Sequence, residues 1–203
     1  AEAAYFVTSI VDEYLELSAN WLTVWFNDPQ QRNPLTQERV DALLELCGYL
    51  KDRRDIRGVT FRGRGEIFCA GGDLKAFQVI NEGGDVRNHI VDLSKQAAIL
   101  FDSIDQLRQF TIMVVEGAAM AGGFGLACCG DYVIAKTDAK FALSEPRMGL
   151  VAAQIAPFVQ RRLGHSIARR MLLTATPVSG QEAVDLGIVD GSFQNEEELS
   201  TRL

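Results

Sequence analysis

The chain has 203 residues, 47% hydrophobic and 23% charged, with a net charge of −7. This is the composition of a globular domain with a substantial core, and its acidic balance argues against nucleic acid as a partner drawn by the overall field. No stretch reaches the roughly 18 apolar residues that cross a bilayer, no secretory leader is read at the start, and Cys47, Cys69, Cys128 and Cys129 sit in small or apolar surroundings without Cys-x-x-Cys spacing, which reads as buried, reduced thiols in a cytoplasmic protein.

Residues 1–13 carry no clear pattern. Residues 14–17 and 21–26 read as strands joined by the Ser18-Ala19-Asn20 turn, a hairpin. Thr36 caps a helix lasting to about residue 53, with Val40, Leu43, Leu44, Cys47 and Leu50 at helical spacing. A strand over 56–61 and a loop over 62–65 lead to an extended segment over 67–70. Then comes Gly71-Gly72-Asp73, with Asp73 as the cap of a short helix carrying Leu74, Phe77 and Val79. Asn81-Glu82-Gly83-Gly84 reads as a flap-like connection. A long helix is predicted over 86–107, a buried strand over 111–115, a loop of small residues over 117–123, a helix over 124–129 and a strand over 132–135. An extended segment over 140–143 ends at Ser144-Glu145-Pro146. Helices over 153–163 and 165–173 are separated by Gly164, and Ser179 caps a helix over 181–186. A short strand over 188–190 and a helix over 196–203 complete the chain. Strand–helix alternation predicts an α/β fold.

Two loops carry the candidate chemistry. Gly122-Gly123 stands ahead of a short helix, whose first N–H groups lack intrahelical partners. Glycine lets another group approach that backbone, and the helix dipole adds partial positive charge. Such N–H groups suit a developing oxyanion. Phe68 to Leu74 has the same character: a strand end, small residues, then a capped helix start. Glu145 is a lone acid in a turn after an apolar run and is the candidate proton-transfer group. Neither a phosphate loop nor a dinucleotide fingerprint is present.

Phe68-Cys69-Ala70-Gly71-Gly72-Asp73-Leu74 resembles the F-C-A-G-x-D-L signature of the crotonase superfamily of enoyl-CoA hydratases and isomerases. Asn33-Pro34-Leu35 resembles its N-A-L segment. Residues 117–131 resemble its glycine-rich block, 141–145 its F-x-x-P-E block, and 180–190 its A-x-x-x-G-L-V-D segment. The resemblance covers about residues 14–192, which would form the acyl-CoA-binding core, with 193–203 starting a truncated C-terminal helical region. It implies a spiral of repeated ββα units, a trimer or hexamer, and an acyl-CoA thioester substrate. It implies no metal and no cofactor beyond the coenzyme A of the substrate itself.

By motif position the resemblance assigns the thioester oxygen to the N–H groups of Ala70 and Gly122, with Glu145 as general acid/base. Coenzyme A would pass Arg32, Asn33 and Leu35, then Phe68 and Gly71, with Asp73, Leu74 and Gly123 beside it and Lys75 near its phosphates. Two-carboxylate hydratases of this family have an earlier glutamate where this chain has Gly125. Gln154 is the candidate for positioning water in its place, and Glu116 is read as structural. The missing acid, the Ser144-Glu145 turn and the Ile155-Ala156-Pro157-Phe158 segment resemble the branch that hydrates 3-methylglutaconyl-CoA in leucine breakdown or isohexenylglutaconyl-CoA in acyclic terpene breakdown. Such substrates carry a distal carboxylate, for which Arg147 is a candidate partner. His89 and His165 match no motif and read as structural or surface residues. A double-bond isomerase and a non-catalytic acyl-CoA-binding protein are the alternatives, because one acid of the pair is gone.

Overall fold

The computed structural model describes residues 14–72 and 86–203. The hairpin of β1 (Tyr14–Ser18) and β2 (Trp21–Phe26) opens a six-stranded sheet. From β2 the sheet continues in parallel through β3 (Gly58–Gly63), β5 (Phe110–Val115), β7 (Tyr132–Lys136) and β10 (Gly191–Phe193). A second sheet holds β4 (Ile67–Cys69), β6 (Ala118–Met120) and β8 (Lys140–Ala142) in parallel, with β9 (Val178–Ser179) antiparallel on β8.

Strands β3 and β4, β5 and β6, and β7 and β8 each place one strand in each sheet. A helix then follows: α2 (Val86–Asp105), α3 (Gly122–Cys128) and α4 (Ala156–Thr174) respectively. This is the expected spiral of ββα units. Ahead of it, α1 (Gln37–Leu50) is capped by the Thr36 hydroxyl, which accepts from Arg39 N–H at 3.2 Å. Its Val40, Leu43, Leu46, Cys47 and Leu50 are buried, one apolar face at helical spacing. Phenylalanines fill the core: Phe26 meets Phe68 edge-on at 5.4 Å, and Phe124 meets Phe141 at 5.8 Å.

Two differences from expectation have local causes. Residues 118–120, read as loop, form β6, whose entry depends on Gly117: a Cβ there would lie 1.8 Å from the Glu66 carbonyl oxygen. The strand expected at 188–190 is instead 191–193. Ile188 and Val189 turn their N–H groups onto the Ala183 carbonyl at 2.8 and 3.2 Å, closing α5 (Gly180–Asp185). The two helices expected on either side of Gly164 are present: α4 is two helical runs that meet at that residue, whose φ 71° and ψ 165° are not helical. A boundary after residue 192 falls inside β10. In α6 (Glu196–Arg202), Leu199 is fully buried in a cluster with Phe193, Ile112, Val114 and Ile134. No described helix is long and apolar enough to cross a membrane. The helix expected after Asp73 and the flap at 81–84 lie outside the described residues.

All four cysteines are buried. Burial pushes the Cys47 and Cys128 thiols up to about 12 and Cys129 well above its ordinary value, so none of these three is a ready thiolate.

Candidate active site

The small sheet positions the site. Its three parallel neighbours β4, β6 and β8 end side by side, in the registers Cys69↔Ala119 and Met120↔Ala142. Their exits are therefore adjacent: 70–72 after β4, 121–122 after β6, and 143–145 after β8. Ala121 N–H extends the ladder by donating to the Ala142 carbonyl at 2.8 Å. Ala121 itself has φ 50° and ψ −122°, a left-handed turn that redirects the chain from strand into α3.

Gly71, at φ 91°, is wedged against the β6 exit. A Cβ on it would lie 2.9 Å from Ala121 Cβ, Gly122 N and the Met120 oxygen. Gly71 N–H meets Cys69 Sγ at 3.4 Å, and the Gly71 carbonyl accepts from Leu35 N–H at 2.8 Å. Leu35 is buried, and its Cδ1 lies 3.6 Å from where a Cβ on Gly122 would stand. Gly72 N lies 3.6 Å from that same point. The β4 and β6 exits thus touch through backbone.

This contact reassigns one oxyanion donor. Ala70 N–H donates to the Arg32 carbonyl at 3.1 Å, so it is already committed. Among the described residues, Gly72 N–H and Gly122 N–H have no acceptor, and they belong to the two loops in contact. The turn at Gly71 brings the next residue's N–H forward. The doubled glycine was the available signal, but position 72 is the variable one in the signature.

Glu145 opens the 3-10 turn Glu145–Met148. Among the described residues its buried Oε2 has no hydrogen-bond partner. Burial raises its carboxyl above the ordinary value of 4.5, offset in part by its own backbone N–H. Met148, Leu150 and Val151, just beyond it, expose apolar side chains, Val151 to 83%.

The remaining candidates divide. Asn33 is a structural staple, not a ligand group, with 1% of its surface exposed. Its Oδ1 accepts from Asp28 N–H at 2.8 Å, and its Nδ2 donates to the Arg64 and Ile67 carbonyls at 3.1 and 2.6 Å. Asn33→Ala is therefore expected to cost about 2–3 kcal/mol, because it strands buried partners; a lower midpoint in urea and faster proteolytic nicking at 28–35 are the measurements. Phe68 is a core residue against Phe26, with no face left for substrate. Gly123 serves packing: a Cβ there would stand 2.1 Å from the Cys69 carbonyl oxygen. Exposed Arg32, at φ 69°, offers its carbonyl to Ala70. Gln154 is not brought onto Glu145, because its amide donates to the Ser94 hydroxyl of α2. Arg147 donates to the Ala175 carbonyl at 3.0 Å, which ties the turn to the end of α4. Asp73, Leu74 and Lys75 lie outside the described residues.

Glu116 is structural, as expected: it takes a two-point contact from Arg62 at 2.6 and 3.0 Å. Arg162 is a tether, donating to the Ile188 and Gly130 carbonyls at 2.6 and 3.1 Å and pairing with Asp190. Two polar clefts of about 410 and 420 Å³ surround these arginines, and neither is lined by Glu145. Their charges are paired internally.

A ββα spiral whose adjacent strand exits present two open N–H groups and a buried carboxyl defines a crotonase-like fold. The chain matches the enoyl-CoA hydratase/isomerase family over residues 16–202, and it belongs to that family. It is 36% identical to Pseudomonas aeruginosa AtuE, with a TM-score of 0.88 over 94% of this chain and 73% of that one. An enoyl-CoA hydratase/isomerase from Marinobacter aquaeolei is 34% identical, with a TM-score of 0.88 over 94% and 74%. The human enoyl-CoA hydratase domain-containing protein 2, mitochondrial, is 32% identical over 86% of this chain. The chain spans 59% of that relative's length, and 65% of a Thermus thermophilus relative's that is 35% identical over 82% of this chain.

Proposed function

We propose that this protein hydrates an enoyl-CoA thioester, with Glu145 as the single general acid/base. The observation that carries the reading is the buried, unpartnered Glu145 Oε2 at the end of β8, beside the open N–H groups at the ends of β4 and β6. Glu145 as carboxylate takes a proton from water as the water oxygen bonds to C3 of the enoyl group. The electron pair of the C2–C3 bond moves into the thioester, and Gly72 and Gly122 N–H groups hold the resulting enolate oxygen. Glu145 then returns the proton to C2, so the sum is one water added. A fixed donor of this kind contributes about 3–4 kcal/mol to the transition state. A carboxyl raised toward working pH suits both halves of the transfer. No resident cofactor enters these steps.

The substrate proposed is 3-branched, of the 3-methylglutaconyl or isohexenylglutaconyl type. Two features support an apolar branch: the exposed Met148, Leu150 and Val151 after Glu145, and an apolar residue, Ile155, over the place of a second acid. Loss of the conjugated enoyl absorbance from such a thioester, with formation of the 3-hydroxy product, is the expected result. The presence of a single carboxyl favours a double-bond isomerase as the competing reading. Persistence of that absorbance, with a 3-enoyl thioester converted to its 2-enoyl form, would establish it.

A further inference from the structure

Gly125 lacks the side chain of a second acid, yet its place is not vacant. A Cβ on Gly125 would lie 2.1 Å from Ile155 Cγ2, 2.4 Å from Ile155 Cβ and 3.3 Å from Ile155 Cδ1. Ile155 is 2% exposed and stands just before α4, ten positions after Glu145. Its Cβ is fixed by its own backbone, so no rotamer of residue 155 would relieve that contact. Gly125 sits in α3, the helix whose first residue is Gly122. The segment from Glu145 to Ile155 is thus seated on the helix that carries an oxyanion donor.

We propose that Ile155 is a positioning residue: its side chain, docked into the gap at Gly125, fixes the distance between the Glu145 carboxyl and the Gly122 N–H. The proposal rests on Glu145 as the proton-transfer group. The segment has two further ties, Gln154 to Ser94 and Arg147 to Ala175, but both lead to helices other than α3. Ile155 joins it to α3 by core packing. The intervening Leu150 N–H to Glu145 carbonyl bond of 3.0 Å and Ala156 N–H to Ala152 carbonyl bond of 3.0 Å make the segment compact enough to transmit a shift. The same wedge keeps water from the carboxyl. Among the described residues, burial is what raises it, with no ionised side chain contributing.

The test is a swap of side chains across the contact. Gly125→Ala forces Ile155 and its segment off α3. It is expected to lower kcat by about tenfold or more, with a smaller change in KM, and to move the acidic limb of the pH–rate profile down as water reaches Glu145. Ile155→Val keeps Cβ and Cγ2 and is expected to stay within about twofold of wild type. Gly125→Ala with Ile155→Gly returns the lost room, and glycine is tolerated just before a helix. That double variant relieves the clash but has lost the Ile155 side chain, so it is expected to stay slow and to keep the lowered pH limb. Circular dichroism reports folding for each. A Gly125→Ala enzyme with unchanged kcat and pH limb overturns the proposal, as does a folded double variant that regains the wild-type kcat and pH limb without the Ile155 side chain. If wild type itself turns over no enoyl thioester, the proton-transfer reading fails instead. NMR titration of the Glu145 carboxyl then judges the wedge, and an unchanged value in Gly125→Ala overturns it.

Discussion

Glu145→Gln is expected to lower turnover of an enoyl thioester by about 10²–10⁴-fold while leaving thioester binding in place. Glutamine keeps the size of the side chain but can neither take a proton from water nor return one to carbon. The same substitution is expected to raise the melting temperature at neutral pH. The sign follows from burial, which holds the folded-state carboxyl above its ordinary value of 4.5. Between the unfolded and folded values the native chain keeps a proton that the unfolded chain has released. Stability therefore falls as pH rises through that window and stays lower above it. Below the ordinary value both states are protonated, and the variant's advantage is expected to vanish. Melting curves of the two proteins across pH check this; parallel curves with a constant gap would mean that Glu145 is not strained by its ionisation. An Oε2 buried without a partner among the described residues is costly for folding, and the proposed proton transfer would be the gain that offsets it.

Reading the residues alone recovered what local chemistry dictates. Thr36 and Ser179 cap helices because their hydroxyls accept the N–H groups of Arg39 and Glu182, and Glu182 answers Ser179 in a capping box. The β-branched and aromatic runs at 21–26 and 110–115 form the strands that they predict. Ala118-Ala119-Met120 has no such signature. It is a strand because β4 and β8 stand on either side of it. Gly191-Ser192-Phe193 is likewise a strand by virtue of the free edge of β7.

At the candidate site, Glu145 and Gly122 stand out in the sequence because each ends an apolar run with a residue out of character for a core. Asn33 was misjudged because its partners, Arg64 and Ile67, lie more than 30 residues away. Ala70 was misassigned because its N–H is consumed by Arg32, again a distant backbone group. Gly125 read as a vacancy because nothing within the α3 sequence reveals Ile155. Each miss is a long-range contact, which periodicity and capping rules do not encode.

Gly71→Ala is expected to be strongly damaging, because backbone strain and a clash add at one position. Residue 71 has φ 91°, so alanine there carries backbone strain of about 1–3 kcal/mol before any contact is considered. Its Cβ then meets Ala121 Cβ, Gly122 N and the Met120 oxygen at 2.9 Å, and two of those three are backbone atoms that cannot swing away. The combined loss is expected to reach about 3–5 kcal/mol, lowering the midpoint of urea unfolding. Gly187→Ala separates the two contributions. Gly187 has φ 72° and nothing within 4 Å of its would-be Cβ, so that variant should show the strain alone, with catalysis intact. The folded fraction of Gly71→Ala should also be a poor catalyst. Relief of the clash parts the β4 exit from the β6 exit and moves Gly72 N–H away from Gly122 N–H. Losing one donor to an enolate oxygen costs about 10²–10³-fold in kcat. Measured at a temperature where both variants are folded, a Gly71→Ala enzyme as fast as Gly187→Ala would remove the pairing of these two N–H groups as the source of charge stabilisation. A slow but folded Gly71→Ala would tie the rate to the spacing between two loops that share only a line of backbone.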